Sequence, residues 1–262
     1  MKIGYACTPV TTNARTNRRI LLKDFSKDKF LSITKQNLYD LQKILEWNIK
    51  NNIYLFRIGS DIIPLGSHEI NNISWQKEFK DELETIGTFI KNNNIRVSMH
   101  PGQYTVINTP KEDVLCKSIK DIEYHCEFLY SLNVDYKNKI ILHIGGVYGD
   151  KKLAKENFLK GFKKLSDSSK KRLVIENDEK NFSLDDVLDI SSKIKIPVIF
   201  DNLHNICYGD NSYSLKEIYS LVIKTWNKKL DGNMKGHYSE QDIFKKKGSH
   251  SPSISINSFL EY

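Results

Sequence analysis

Six of the seven histidines and two carboxylates carry most of the chemistry in this sequence. His68, His100, His143, His204, His237 and His250 each stand at or just after the C-terminal end of a short apolar, β-branched run. Glu176 in VIEND and Asp201 in VIFDNLH end runs of the same kind. Neutral imidazoles and carboxylates together make a mixed nitrogen and oxygen ligand set that suits zinc, manganese or iron, and a cluster this rich can hold more than one ion. A lone histidine beside a strand is commonly a hydrogen-bonded loop or core residue. Six that share one placement point instead to a common site. His125, in IEYHCEFL, falls inside a helical pattern and reads as a packed helix residue. Arg57 in LFRIG sits mid-strand among apolar neighbours, where a buried charge needs a partner. A structural ion pair is the first expectation for it and a phosphate contact the alternative.

The elements that must position these groups alternate along the chain. The runs IGYAC, YLFRIG, IRVSMH, IILHIGG, RLVIEND, PVIFDNLH and GNMKGHYS read as strands. Between them, stretches such as FLSITKQNLYDLQKILEWNI and LKEIYSLVIKTW space apolar residues as helices with one buried face do. Seven strand-then-helix units follow one another with no Gly/Ser-rich or Pro-rich linker, which signals βαβ repeats and a parallel sheet. The expected fold is α/β, a single TIM (β/α)8-type barrel domain over residues 1–262, with a doubly wound open sheet as the alternative. In such a barrel the C-terminal strand ends share one face, where catalytic groups assemble. The segment after the first strand reads IGYACTPVTTNARTNRR and lacks the GxGxxG fingerprint, which argues against a dinucleotide enzyme and any nucleotide cofactor.

Composition narrows the partners. The 262 residues carry 40 Lys+Arg against 32 Asp+Glu, a formal charge of +8, which suits an anionic partner such as nucleic acid and equally a lysine-rich solvated surface. Cys7, Cys116, Cys126 and Cys207 are scattered with no CxxC pair, so neither a zinc ribbon nor a secreted disulfide framework is indicated. The start MKIGYACTPV has no continuous apolar core, and no apolar run reaches the roughly eighteen residues of a membrane span. These features predict an intracellular protein with no signal peptide and no membrane association.

The motifs LFRIGSDIIPLGSH, SMHPGQYTVIN, LHIGGVYGDK, IEND, VIFDNLH and KGHYS occur in the order and spacing of one family. The chain resembles the UV damage endonucleases, relatives of the endonuclease IV barrel, over nearly its whole length. That resemblance implies a DNA repair nuclease that nicks damaged double-stranded DNA immediately 5′ of ultraviolet photoproducts, such as pyrimidine dimers and 6-4 products, and of abasic sites, acting as a monomer without ATP. It implies that His100, His143, Glu176, Asp201, His204, His237 and His250 are ligands of two or three divalent ions, with Glu176 bridging. Manganese is the first expectation, with zinc or magnesium as alternatives. By the same pattern His68 lies beside the metals or the scissile phosphate, and Tyr5 is an active-site tyrosine. Lys235, two residues before His237 and so on the same side of an extended strand, matches a lysine that the family carboxylates. Gln103 and Tyr104, beyond the Pro101-Gly102 turn, match the pair with which the family probes the duplex where damaged bases are extruded. A flat aromatic can stack where a base has left, and an amide can bond base edges.

The family pattern continues into an eighth strand whose glutamate completes the metal centre. After Gly248-Ser249-His250 this sequence holds only SPSISINSFLEY, room for a loop and the start of a helix, so the eighth strand is expected to be missing. Glu261 falls in that helix and is not assigned the glutamate's role. Two rival readings follow: a damage-binding protein without incision activity, and a xylose-isomerase-like sugar enzyme sharing barrel and metals.

Overall fold

The computed structural model describes residues 2–209 and 212–262. The chain forms two compact units, one running to Tyr104 and including Lys117–Ile140, the other made of Thr105–Cys116 and Ile141–Tyr262. Seven strands were found among the described residues: β1 (Gly4–Ala6), β2 (Leu55–Ile58), β3 (Arg96–Met99), β4 (Lys139–His143), β5 (Leu173–Glu176), β6 (Val198–Asp201) and β7 (Gly236–His237). They lie in the sheet in sequence order, and the pairings resolved are parallel. Sequential parallel strands separated by helices are the arrangement of a TIM-type α/β fold, here with seven strands and no eighth among the described residues.

In the first unit β2 lies between β1 and β3. Its register puts Phe56 beside Tyr5 and Val97, and Phe56, Ile58, Val97 and Met99 are all buried. The helix Lys27–Lys50 begins at Ser26, whose hydroxyl accepts the Lys29 N–H, satisfying one of the donors a helix start leaves open. It buries Phe30, Leu38, Leu41, Ile44 and Leu45. Gly87 in the helix Lys80–Asn92 permits close approach, since a Cβ there would fall 1.8 Å from the Leu132 carbonyl oxygen.

In the second unit β5 and β6 are buried along their whole length, as strands covered by helices on both faces must be. The covering helices Leu184–Ile194 and Leu215–Ile223 both open with a complete capping box, Ser183 with Asp186 and Ser214 with Glu217. The end of β4 in this unit is set by the HIGG turn that follows it. Gly145 there has φ of +115°, and the Asn108 amide fills the space its Cβ would need while donating to the Gly146 carbonyl at 2.7 Å. All four cysteines are free thiols. Among the described residues no helix is long and apolar enough to cross a membrane.

Candidate metal centre

The buried carboxylates at the ends of β5 and β6 form the heart of the site in the second unit. Glu176 is 1% exposed and Asp201 2%. One ligand atom from each of Glu176, Asp201 and His237 lies within 4.8 Å of the others. His237 Nδ1 stands 2.5 Å from Glu176 Oε1, and His143 Nε2 stands 3.5 Å from the other carboxylate oxygen. Glu176 thus faces an imidazole on each side. The His204 ring centroid is 5.3 Å from that of His143 and 6.0 Å from that of His250. Five of the sequence-predicted ligands therefore gather around Glu176 and one another.

Strand ends do this because a parallel strand hands its last residue to the loop on the same edge as its neighbours do. The Cα of Asp201 pairs with that of His237 in the β6–β7 register, and Glu176 with Ile199 in the β5–β6 register. Beyond β6 the helix Asn202–Tyr208 starts at once, with the Asp201 side chain accepting the His204 N–H at 2.9 Å as its cap. That cap puts His204 one turn above Asp201.

A residue the sequence reading passed over holds both. Asn177, fully buried, accepts the Asp201 N–H at 2.9 Å, donates to the Asp201 carbonyl at 3.0 Å, and through its own carbonyl accepts from His204 Nδ1 at 2.9 Å. An Nδ1–H committed to a carbonyl leaves Nε2 as the lone-pair nitrogen, the form a metal needs. Its only sequence signal was its place beside Glu176 in IEND. Glu179 is a second such residue, with a carboxylate oxygen 4.0 Å from His204 Nε2.

The electrostatics fit a cation. Burial, and then the neighbouring Glu176 charge, raise the Asp201 carboxyl above its usual range. Burial opposes the charge on His204, but the Asp201 and Glu176 carboxylates outweigh it and raise the imidazole. Two close buried carboxylates repel unless positive charge is placed between them. Imidazole and carboxylate donors of this kind suit a divalent ion of the manganese or zinc type.

The other predicted residues are placed as follows. His100 follows β3 in the first unit; its Nδ1 is 2.9 Å from the Pro101 carbonyl oxygen, and Ser60 donates to its own carbonyl at 2.8 Å. The Gln103-Tyr104 turn is exposed, Tyr104 at 83%. The Tyr5 hydroxyl donates to Asn48 Oδ1 at 2.8 Å, its ring packs edge-on against Phe56, and burial pushes its pKa up to about 12, so it is a neutral donor in working conditions. Lys235 is half-buried immediately before β7. His125 is wholly buried in the helix Glu112–Ser131, with Nδ1 2.6 Å from the Asp121 carbonyl and Nε2 2.9 Å from the Ser60 hydroxyl, the packed residue expected of it.

Three expectations need correction. His68 does not sit at the end of β2 but in an exposed turn ten residues on, where its Nδ1 accepts the Ile70 N–H, because a short 3-10 helix and turns intervene. His250 likewise lies thirteen residues past β7, on an isolated antiparallel bridge to Gln241. Arg57 makes no ion pair among the described residues and its Nε is buried without a hydrogen-bond partner. Its register neighbours are Ala6 and Ser98, so neither adjoining strand offers a carboxylate.

The model of the UV-endonuclease UvdE family matches residues 1–261. The chain belongs to the UvdE family of UV endonucleases. It is 95% identical over all 262 residues to a UV DNA damage endonuclease of Clostridium perfringens strain 13, of whose length it spans 64%. It is 34% identical over 87% of its length to a UV DNA damage endonuclease of Bacillus cereus strain Q1, covering 74% of that protein. The crystal structure of SacUVDE superposes on the whole chain and on 88% of its own with a TM-score of 0.93 at 40% identity. A D-psicose 3-epimerase of Clostridium cellulolyticum H10 matches 77% of the chain and 68% of its own with a TM-score of 0.54 at 13% identity, a likeness of fold alone. The buried Glu176, Asp201 and His237 group is a candidate metal centre of this UvdE-family chain.

Proposed function

We propose that this chain is the catalytic region of a DNA repair endonuclease that hydrolyses one phosphodiester bond immediately 5′ of ultraviolet photoproducts and abasic sites. The observation that carries the reading is the buried Glu176, with an imidazole on each carboxylate oxygen and Asp201 beside it, in a chain that matches the UvdE family along 1–261.

Glu176, Asp201, His143, His204, His237 and His250 would hold the divalent ions, with His100 added from the family pattern. Manganese is the ion we expect. When bound, such ions make a water nucleophilic near neutral pH and compensate charge on the attacking and leaving oxygens of the phosphodiester. Asn177 fixes the Asp201 backbone and the His204 tautomer, so the ligands stay aimed without reorganising. The Tyr5 phenol, neutral to about pH 12, would donate to a phosphate oxygen only by giving up its bond to Asn48 Oδ1. Arg57, with no carboxylate partner among the described residues, is suited to a phosphate as well. Gln103 and Tyr104 would read the lesion. A crosslinked dimer or abasic site is already unstacked, so opening it costs less by about a few kcal/mol than opening intact duplex. Lys235 would carry a carboxyl group, which intact-mass spectra under mild, non-acidic conditions would detect.

The test is incision and binding measured together on a duplex carrying one photoproduct, with chelated and with manganese-supplemented protein. Nicking only on the 5′ side of the lesion and only with metal supports the reading. Nicking that survives exhaustive chelation, or affinity no greater for lesion than for intact duplex, refutes it.

A further inference from the structure

Between His237 and His250 the chain reads YSEQDIFKKKGS, a segment from which the metal centre takes no residue. Its two arms form a braced hairpin. Gln241 bridges His250, the Asp242 N–H donates to the Ser249 carbonyl at 2.7 Å, and the Ser251 N–H donates to the Glu240 carbonyl at 2.8 Å. The Gln241 amide lies across the inside, accepting the Gly248 N–H at 2.7 Å and donating to the Asp242 and Lys246 carbonyls at 2.8 and 3.1 Å. The buried Asp242 carboxylate accepts the Phe244 N–H at 3.0 Å. Gly248 closes the turn with φ of +85°, in the left-handed region that favours glycine.

That brace holds out side chains with no use for water. Ile243 is 83% exposed and Phe244 91%, and Lys245, Lys246 and Lys247 follow, all exposed. A large aromatic on an ordered tip keeps unfavourable hydration until a partner covers it. Three successive lysines say the partner is anionic. Lys245 is engaged at 3.1 Å with Asp242, and no ion pair was found for Lys246 or Lys247 among the described residues. The hairpin is also rooted at the candidate centre of its own unit: a Cβ on Gly248 would lie 3.2 Å from Glu179 Cγ and 3.9 Å from Cys207 Sγ, and the His250 ring is 6.0 Å from that of His204. An aromatic beside a row of cations, next to a site for phosphodiester chemistry, matches a nucleic acid whose bases have been unstacked.

We propose that the Gln241–His250 hairpin is a second DNA contact, distinct from the Gln103-Tyr104 turn. Lys246 and Lys247 hold the phosphate backbone, and the Ile243-Phe244 tip enters the duplex where the lesion has loosened its stacking. The proposal rests on the reading that this chain acts on duplex DNA.

The experiment uses the full manganese-loaded chain, a fluorescent duplex with one abasic site, and the matched intact duplex, titrated over a range of salt. The variants are I243A/F244A and K246A/K247A, whose exposed side chains leave the brace in place. K246A/K247A is expected to lower the slope of log affinity against log salt by about 1–2 on both duplexes. I243A/F244A is expected to weaken the lesion duplex roughly tenfold while sparing the intact duplex, the salt slope and the metal content. Unchanged affinities in both variants, with a parent chain that still prefers the lesion, overturn the hairpin contact and leave the proposed function standing. A parent chain that binds neither duplex overturns both. Loss of self-association, or of binding to anionic phospholipid vesicles, with duplex affinity unchanged, assigns the tip to another partner and overturns the proposal.

Discussion

Replacing Glu176 with Gln separates its proposed role as a ligand from its role in the fold, because the first is expected to be lost and the second largely kept. In the metal-free chain the substitution loses a charge-assisted bond to His237 Nδ1, at a cost of about 1.5–3 kcal/mol. It also removes a buried carboxylate that raises its neighbour Asp201, a repulsion and desolvation cost of the same order, roughly a few kcal/mol. Gln keeps the shape, so the metal-free stability is expected to change by no more than about 1–2 kcal/mol. Metal behaves differently. At an ion concentration a hundredfold above its dissociation constant, the parent chain gains about 2.7 kcal/mol, which for a chain of this size is an increase in Tm of roughly 5–10 °C. Glu176→Gln takes away the charge that lies within ligand distance of Asp201 and His237 and is expected to keep less than about 2 °C of that increase. The assay is calorimetric or fluorescence-detected melting of both proteins with chelator and with graded manganese. Full metal-induced stabilisation in the variant, or a metal-free loss beyond about 4 kcal/mol, would refute the assignment of Glu176 to metal rather than to packing.

Asn177→Ala is expected to reduce metal affinity about 10–100-fold, as loss of a ligand-orienting partner does, with incision recovered at high manganese; unchanged affinity in a calorimetric titration would count against it. Gln103→Ala with Tyr104→Ala should weaken the lesion duplex relative to intact duplex by about 1–3 kcal/mol per lost stacking contact while metal content stays constant, and equal affinity ratios in variant and parent would reject the probe role. The pH dependence of stability should reverse with metal. His204 has a raised folded pKa, so it stabilises the metal-free chain below its unfolded value near 6.5 and that contribution is lost as pH rises through the folded value. The raised Asp201 acts in the same direction at lower pH, since ionising it costs more in the folded state. Stability of the chelated protein therefore falls with rising pH across this window, whereas the loaded protein gains as its ligands deprotonate; melting curves that move the same way with and without manganese would refute the scheme.

The sequence by itself determined the kind of fold and the kind of chemistry. Alternating strand and helix periods are local properties, and a strand that ends in His or Asp announces a polar group where the chain leaves the sheet. Six of the seven strand runs overlap the observed strands closely, while GNMKGHYS shrank to Gly236–His237, since glycine and asparagine leave little side chain to pack. The gathering of Glu176, Asp201, His143 and His237 depends on parallel register, which periodicity does not encode. Tertiary structure alone decided that Asn177 ties Asp201 to His204, since its side-chain amide meets the Asp201 backbone and its carbonyl meets His204 only once β5 and β6 lie side by side. It also showed Arg57 without an ion pair among the described residues and His68 in a turn far along from β2, because the identity of a partner is set by which strands lie alongside. The same holds for Phe244: in the sequence an apolar pair before three lysines is neutral information, and only the hydrogen-bonded hairpin turns it into a fixed, exposed tip.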